Sequence, residues 1–238
     1  MIKKNLKTLI LTSIVTLIPV VIGLLLWNRL PEQIPSHWDI NGNIDAWSSK
    51  GFAVFAIPAL LLVLHWVCVI ASAADPKHKN YTPKMLTLVL WICPVIGLIL
   101  STLVYATALG YQLKIQIIMP LLVGLMFLVV GNLLPKCRQS YTMGIKLPWT
   151  FASEENWNKT HRFAGKLWVI GGILTMATAF LGSFWLLLGI LINVAVYAAV
   201  MAYFYLVLKM KPPKNTNEYI APVIDNSNEP NDDMNAVV

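Results

Sequence analysis

Three side chains in one polar stretch have the types needed for acid–base chemistry. Glu154, Glu155 and His161 lie close together in the sequence, and an imidazole with a carboxylate is a common general acid–base pair. The chain has no HExxH, GxSxG or glycine-rich phosphate-binding motif, which are the sequence contexts of metalloproteases, serine hydrolases and nucleotide-binding enzymes. We therefore predict no catalytic residue, and a membrane enzyme that uses His161 stays an alternative.

A second group of side chains could bind a metal ion. His37, Asp39 and Asp45 offer nitrogen and oxygen ligands, but they are scattered and lack the spacing of a metal-binding motif. We therefore predict neither a metal nor a cofactor. Three cysteines occur without a CxxC pair, and we predict small apolar side chains rather than redox or metal groups: Cys68, Cys93 and Cys137.

The composition is that of an integral membrane protein. Of the 238 residues, 57% are hydrophobic and only 12% are charged, whereas a soluble domain has about 25% charged residues. The net charge of +7 would also suit nucleic acid, but no RNA- or DNA-binding motif occurs. Basic residues of membrane proteins collect in cytoplasmic loops, and we predict no direct binding of nucleic acid.

Uncharged apolar runs predict an all-α, polytopic membrane protein with six transmembrane helices. Four runs are long enough to cross a bilayer: 8–27, 52–73, 85–107 and 115–134. The run 167–208 also has no charge, and as one helix it would be about twice as long as the hydrocarbon core is thick. It therefore predicts two more spans with a turn near residues 182–183. A polar tail over 209–238 is predicted to be disordered.

The distribution of basic residues predicts the orientation. If the N-terminus is cytoplasmic, fifteen of the 18 Lys and Arg residues lie on the cytoplasmic side, as the positive-inside rule requires. Only Arg29, Lys50 and Lys114 then lie outside. We expect a multi-pass protein in contact with membrane lipids, with both termini and the loop 135–166 in the cytoplasm and the loop 28–51 outside.

The loop 28–51 has more features than a plain linker. The Asn-Gly-Asn sequence at 41–43 is a turn signal, since Gly42 is free to adopt a positive φ. One interpretation is a compact loop on the membrane surface, where tryptophan rings suit the headgroup layer. The other is a recognition surface for an external peptide or lipid, made of His37, Trp38, Gly42, Asp45 and Trp47.

The loop 135–166 contains most of the remaining charge. Pro148 keeps its preceding residue extended, so we expect no helix over 144–150. A helix should begin after Ser153, which is a good N-cap with acidic residues in the turn that follows.

That predicted helix has one aromatic face and several basic residues. Trp157, His161 and Trp168 share the face at helical spacing. The helix could be an amphipathic lead-in at the inner membrane surface. It could also be a docking platform whose basic residues hold an acidic partner, and the two interpretations are compatible.

The predicted spans contain few polar groups. His65 and Asn193 are the main ones, and a His inside a span is a functional candidate by default, although a neutral imidazole can also bond a neighbouring carbonyl. No Asp, Glu, Lys or Arg lies in a span to carry a proton or an ion. A transporter or exporter of a small peptide or lipid-like molecule therefore has little support and stays an alternative.

Both polar loops resemble parts of a known family. The first resembles the DUF1648 domain, and the second resembles the SdpI domain. Their order on six spans is that of the bacterial SdpI immunity proteins. The first resemblance rests on Pro31, Ile34, Pro35, His37, Trp38, Gly42, Asp45, Trp47 and Lys50. The second rests on Gly131, Asn132, Pro135, Lys136, Gly144, Ile145, Pro148, Trp149, Thr150, Glu154, Trp157, Thr160, His161, Gly165 and Lys166.

The resemblance implies a two-part organisation with a tail. A DUF1648-like region over 1–73 would hold two spans, and an SdpI-like region over 74–208 would hold four. The chain departs from the family pattern at two places: Gln139-Ser140 replaces Pro-Asn, and Lys146-Leu147 replaces Arg-Thr. Lysine keeps the charge of arginine but lacks its planar fork, so a bidentate contact there would be weaker.

The family resemblance also implies a function. Such proteins protect a bacterium from its own secreted SDP-like peptide toxin, and they are described as holding a small autorepressor at the cell membrane. We expect a toxin outside and a repressor inside as partners. The docking residues expected on the inner loop are Asn132, Pro135, Lys136, Gly144, Lys146, Pro148, Trp149, Thr150, Trp157, Thr160 and His161. A sensor without a protective role stays an alternative.

Overall fold

The computed structural model describes residues 1–151 and 153–181, together with 194, 197 and 198. This part of the chain is mostly helical and contains one β-hairpin. In chain order the elements are α1 (Leu6–Leu25), β1 (Gln33–Trp38), β2 (Ile44–Ser49), α2 (Ile57–Ala74), α3 (Pro83–Ala108), α4 (Ile115–Leu133), α5 (Pro148–Phe151) and α6 (Glu154–Thr178).

Within the described residues, four helical segments are long and apolar enough to cross a bilayer. They are Lys3–Leu25, Phe52–Ala74, Pro83–Ala108 and Ile115–Lys136, and they agree with the first four predicted spans. Helix α6 covers the start of the fifth and ends at Thr178, shortly before the predicted turn. That turn at 182–183, the sixth span, Asn193 and the tail lie outside the described residues.

The alternating direction of α1 to α4 gives the bundle two distinct ends. The hairpin and the turn at Gly110 lie at one end, called here the hairpin end. The N-terminus, the α2–α3 connection and the basic loop lie at the other, called here the loop end. Helices α1, α2 and α3 pack together, and α4 packs against α6. Large apolar side chains on α1 and α2 point outward, as lipid-facing surfaces require: Leu25, Leu60 and Val63 are 81%, 61% and 61% exposed.

Two pairs of glycines allow α4 and α6 to approach closely. A Cβ atom built on Gly124 would lie 2.6 Å from the carbonyl oxygen of Gly172, and one built on Gly131 would lie 2.9 Å from that of Gly165. In the other direction, a Cβ atom built on Gly172 or on Gly165 would lie 2.7 Å from the carbonyl oxygen of the glycine that it faces on α4. On each helix the two glycines of these pairs are seven residues apart, so both pairs lie on one seam between the helices.

The structure differs from the sequence predictions at two points. The loop 28–51 contains two paired strands, where a compact loop with a turn was expected. The prediction of no helix over 144–150 is wrong at its end, because Pro148–Phe151 forms one helical turn. Proline suits the first position of such a turn, and the Thr150 hydroxyl accepts a hydrogen bond from the backbone N–H of Leu147 at 3.0 Å. The predicted helix start is confirmed, since Ser153 caps α6 by accepting from the N–H of Asn156.

Candidate functional site

The hairpin is a two-stranded antiparallel sheet with a tight tip. Gly42 has a φ of 81°, a value that residues other than glycine rarely adopt. The Asp39 carboxylate accepts hydrogen bonds from the backbone N–H groups of Asn41 and Asn43 and from the Asn43 side chain. These bonds, that of the Asn43 side chain above all, lower the pKa of Asp39. The tip is therefore held by an ionised carboxylate.

A buried lysine fastens the base of the hairpin to the end of α1. Lys50 Nζ lies 2.8 Å from a carboxylate oxygen of Glu32 and 4.7 Å from the centre of the Trp27 ring. It also approaches the backbone carbonyl oxygens of Trp27 and Leu30 at 3.4 Å. Such a charge is stable under the surface only because anionic and carbonyl groups surround it. The predicted site residues did not include Lys50.

The predicted recognition residues of the hairpin lie close together. His37 Nδ1 and Asp45 Oδ1 are 2.6 Å apart across the two strands. Trp47 is 55% exposed, and Trp38 is half-buried. The region described has no group of three His, Cys, Asp or Glu side chains that could hold a metal ion, so Asp39 does not join the His37–Asp45 pair as a third ligand.

A cavity of about 520 Å³ lies beneath the hairpin. Its walls come from β1, α2, α3 and α4, so the cavity lies between the α1–α3 bundle and the α4–α6 pair. Most of the lining is aliphatic. Ser101 and Gln116 add polar groups, and His37 and Asp39 lie at the hairpin side. Ligand sites in proteins have this size and this mixture of apolar walls with few polar groups.

At the loop end, His161 is part of the protein interior. It is 1% exposed. The backbone N–H of Ile145 donates to Nε2 at 2.9 Å, and Nδ1 lies 2.8 Å from the carbonyl oxygen of Trp157. Nε2 must therefore carry the lone pair and Nδ1 the proton, which is the neutral form. Burial lowers the pKa of His161, although the bond to the Trp157 carbonyl acts in the opposite direction.

The rings of Trp157 and His161 stack and form the centre of the loop. Their centroids are 4.0 Å apart, with 20° between the planes. Trp157 Nε1 donates to the carbonyl oxygen of Cys137 at 2.7 Å. Gly144, with a φ of 102°, lies against this stack, and a Cβ there would be 2.5 Å from His161 Nε2. The glycine is therefore required by both the backbone conformation and the lack of space.

The two threonines of the predicted docking set are also buried. The Thr150 hydroxyl lies 2.8 Å from the carbonyl oxygens of Ile145 and of Leu147, which fixes the short turn before α6. Thr160 is completely buried, and its hydroxyl has no hydrogen-bond partner within the described part of the chain. These side chains shape the loop from inside and offer no surface to a partner.

Asp75, which was not a predicted site residue, connects the α2–α3 connection to the basic loop. It is 3% exposed, and its Oδ2 accepts from the backbone N–H groups of Tyr141 and Thr142 at 2.9 and 3.0 Å. The Tyr81 hydroxyl donates to the same oxygen at 2.8 Å, and the N–H of Lys77 donates to Oδ1 at 2.8 Å. We call this arrangement the Asp75 latch.

The electrostatics of the latch favour an ionised carboxylate beside a neutral phenol. Burial alone would raise the pKa of Asp75, but the hydrogen bonds from Tyr81, Lys77 and Thr142 outweigh it and lower the pKa below its ordinary value of 3.8. Burial, together with the nearby carboxylate, raises the pKa of Tyr81 to about 12. Tyr81 therefore remains a donor.

The residues that depart from the family pattern contribute to the same framework. Gln139 is buried and donates to the backbone carbonyl oxygens of Thr150 and Phe151 at 3.3 and 3.2 Å. The Ser140 hydroxyl donates to the carbonyl oxygen of Met143. Lys146 is exposed, and its charge is therefore available at the surface.

The remaining predicted docking residues lie nearer the surface. Trp149 and Gly144 are half-buried, and four others are exposed: Asn132, Pro135, Lys136 and Pro148. All six Lys and Arg side chains of the loop 135–166 are exposed: Lys136, Arg138, Lys146, Lys159, Arg162 and Lys166. A polar groove of about 530 Å³ runs between the α2–α3 connection and the start of α6, and its lining includes Lys136 and Arg138. The predicted set therefore divides into a buried framework and an exposed basic surface.

His65 lies inside the α1–α2–α3 bundle. It is completely buried, and its Nε2 lies 3.1 Å from the hydroxyl oxygen of Thr12 on α1. The hydrogen-bond partner of His65 is thus a hydroxyl group, whereas the sequence led us to expect a neighbouring backbone carbonyl as the partner in a structural role. His65 Nδ1 has no partner among the residues described.

Comparisons with known proteins agree with the resemblance in the two loops. Residues 136–205 match the model of the SdpI/YfhL protein family, and residues 14–62 match that of DUF1648, a domain of unknown function. The chain is 30% identical over 194 residues to the Immunity protein SdpI of Bacillus subtilis (strain 168), which covers 80% of this chain and 88% of that relative. No solved structure matches the chain. With two matching domains in the expected order and four apolar helices, this membrane protein belongs to the SdpI family.

Proposed function

We propose that the protein protects a bacterium from a secreted antimicrobial peptide toxin of the SDP type. The observation that carries this proposal is the similarity to an immunity protein over 88% of that relative's length. The hairpin end would face outside and the loop end the cytoplasm, because the exposed basic side chains concentrate at the loop end. Both termini would then be cytoplasmic.

Binding rather than catalysis fits the geometry of the polar residues. The best candidate for acid–base chemistry, His161, has hydrogen bonds at both ring nitrogens and lies under a tryptophan ring. Its surroundings keep it neutral and shielded. The hairpin, in contrast, presents the exposed Trp47 ring next to the His37–Asp45 pair, and exposed aromatic side chains are frequent energetic centres of binding surfaces. We therefore assign toxin recognition to the hairpin.

Expression of the chain in a toxin-sensitive bacterium is expected to raise the toxin concentration that kills half of the cells. Replacing Trp47 with alanine should reverse most of this protection, by about tenfold or more if Trp47 is a central contact. The measurement is a survival titration with purified SDP-type toxin against an empty vector, with membrane levels checked by immunoblot.

Tyr111→Ala is the matched control for that titration. Tyr111 is an aromatic residue that is 65% exposed at the same end of the bundle, outside the hairpin. Full protection by Tyr111→Ala and loss by Trp47→Ala would locate recognition in the hairpin. Unchanged killing by a wild-type protein that is present in the membrane would refute the proposed immunity to this toxin.

A second proposed role is to hold a small repressor protein at the membrane. The observation that favours it is the division of the loop into a buried, hydrogen-bonded framework and an exposed basic surface. The polar groove beside Lys136 and Arg138, and the outward-facing Arg162 and Lys166 on α6, could hold acidic side chains of a partner. A sensor that lacks the protective role would use the same surface.

Reversing two of these charges is expected to release the repressor without reducing protection. In a strain that produces Arg162→Glu/Lys166→Glu, a fluorescent fusion of a small repressor encoded beside an SdpI-family gene should stay in the cytoplasm when toxin is added. Lys3→Glu/Lys4→Glu is the control, because it makes the same change in charge at exposed residues of the same end. Membrane recruitment that survives the α6 reversal would contradict this role.

A further inference from the structure

The cavity beneath the hairpin continues into the membrane-spanning region. A second, apolar cleft of about 380 Å³ lies between α3 and α4, and it shares Leu100 and Met119 with the cavity. From Leu100 it extends along α3 to Leu88. Leu88 lies twenty residues from Ala108, the last residue of α3 at the hairpin end. Twenty residues of helix correspond to about 30 Å, which is about the thickness of the hydrocarbon core. The cavity and the cleft thus form one groove that starts at the hairpin and extends along most of the membrane-spanning length of α3.

The groove contains a hydroxyl group near the hairpin. Ser101 is 6% exposed and lines the cavity. Its neighbour Thr102, in contrast, points outward and bonds the carbonyl oxygen of Leu98. A hydroxyl in an otherwise apolar wall can donate and accept a hydrogen bond when a polar group of a ligand comes within reach. Ser101 is therefore suited to bind a polar group of a ligand that enters the cavity.

The hairpin tip and α4 close the other side of the cavity. A Cβ built on Gly42 would lie 2.5 Å from the side-chain oxygen of Gln116, so the tip rests on the first turn of α4. Gln116 also lines the cavity and has both a donor and an acceptor. A ligand at this position would touch both the α1–α3 bundle and the α4–α6 pair.

We propose that this groove binds an apolar segment of the secreted peptide, with its backbone amide groups at Ser101 and Gln116. The proposal rests on the proposed immunity function and gives that function a location. A peptide backbone needs both donors and acceptors when it enters an apolar site, and the two side chains provide them. The carboxylate of Asp39, which lines the cavity, and that of Asp45, which pairs with His37, would repel the phosphate of a phospholipid, which makes a lipid the weaker occupant.

The test measures binding of fluorescently labelled, purified SDP-type toxin to the full-length protein in phosphatidylcholine nanodiscs. Ser101→Met fills part of the cavity with a larger side chain and removes the hydroxyl, and we expect it to weaken toxin binding by about tenfold or more. Thr102→Met makes a similar change on the outward side of the same helix turn and should leave binding within about twofold. Ser101→Ala removes the hydroxyl without filling the cavity, and we expect an intermediate loss.

Thermal unfolding and survival separate the outcomes. If Ser101→Met unfolds at the wild-type temperature and binds toxin as the wild type does, the groove is not the site. If the wild type protects cells but does not bind toxin in nanodiscs, the groove proposal fails and the immunity function stands. If the wild type neither protects nor binds, both fail. Phospholipid that co-purifies with the wild type, is lost from Ser101→Met and is not displaced by toxin would identify a lipid as the occupant and overturn the proposal.

Discussion

Replacing Asp75 with alanine is expected to detach the basic loop from the α2–α3 connection. The carboxylate accepts from the backbone N–H groups of Lys77, Tyr141 and Thr142, and alanine would leave these partly buried donors without an acceptor. Each such loss costs about 1–3 kcal/mol. With partial relaxation of the loop, we expect the free energy of unfolding to fall by about 3–5 kcal/mol, measured by denaturation of the purified protein in detergent.

Limited trypsin digestion reports on the same loss locally. Arg138 and Lys146 flank the segment that Asp75 holds, and cleavage after them should be much faster in Asp75→Ala. Asp75→Asn keeps one acceptor oxygen and should lie between the alanine variant and the wild type. Glu155→Gln is the control, because Glu155 is 71% exposed in an ion pair with Lys159, and exposed pairs contribute about 0–1 kcal/mol. An Asp75→Ala protein as stable as the control would disprove the latch.

The latch also predicts how stability depends on pH. The pKa of Asp75 is lower in the folded protein than its ordinary value of 3.8, so its contribution is fully present above that value. The contribution is lost as the pH falls through the lowered pKa. Asp75→Asn should therefore flatten the acid limb of a stability curve recorded below pH 5, while it changes little of the curve's shape near neutrality.

Sequence patterns were sufficient for features that depend on neighbouring residues. Long uncharged runs located the four described spans. Ser153, with two glutamates after it, located the start of α6. The Asn-Gly-Asn sequence predicted the turn at Gly42. The strands beside that turn could also have been predicted, because Asn-Gly between apolar residues is a hairpin signal. The seven-residue spacing of glycines on α4 and α6 was equally visible.

The sequence could not show which side chains are turned inward at the loop end. The latch joins Asp75 to a backbone segment 66 residues later, and no local pattern records such a pair. His161 and Thr150 were predicted as docking residues from the resemblance, since a motif shows which residues matter but not which way they face. Their burial assigns them to the framework, and the exposed cations around them become the candidates for contact.

The second large effect is expected at the glycine seam between α4 and α6. In Gly131→Ala the new Cβ would meet three backbone or near-backbone atoms of α6, all at 2.9 Å: the Gly165 oxygen, the Trp168 Cβ and the Val169 nitrogen. None of these can rotate away, so the helices must separate. We expect a loss of about 1–3 kcal/mol for Gly131→Ala and more for Gly131→Val, measured as reduced thermal stability in detergent.

Gly51→Ala provides the matched control for the same substitution. No atom lies within 4 Å of the Cβ position at Gly51, and its φ of −61° is helical. Alanine should be neutral or slightly stabilising there, since it reduces the conformational entropy of the unfolded chain. Comparison of the two variants separates the effect of close helix packing from the general effect of removing a glycine.

A double variant tests whether the two glycine pairs belong to one seam. Gly124 faces Gly172 as Gly131 faces Gly165. Once α4 and α6 have moved apart at one pair, an added methyl group at the other pair meets less resistance. Gly124→Ala/Gly131→Ala should therefore lose less stability than the sum of the single losses, because residues that share one interface are energetically coupled. Strictly additive losses would mean that each glycine acts independently and that the α4–α6 contact is not a single rigid seam.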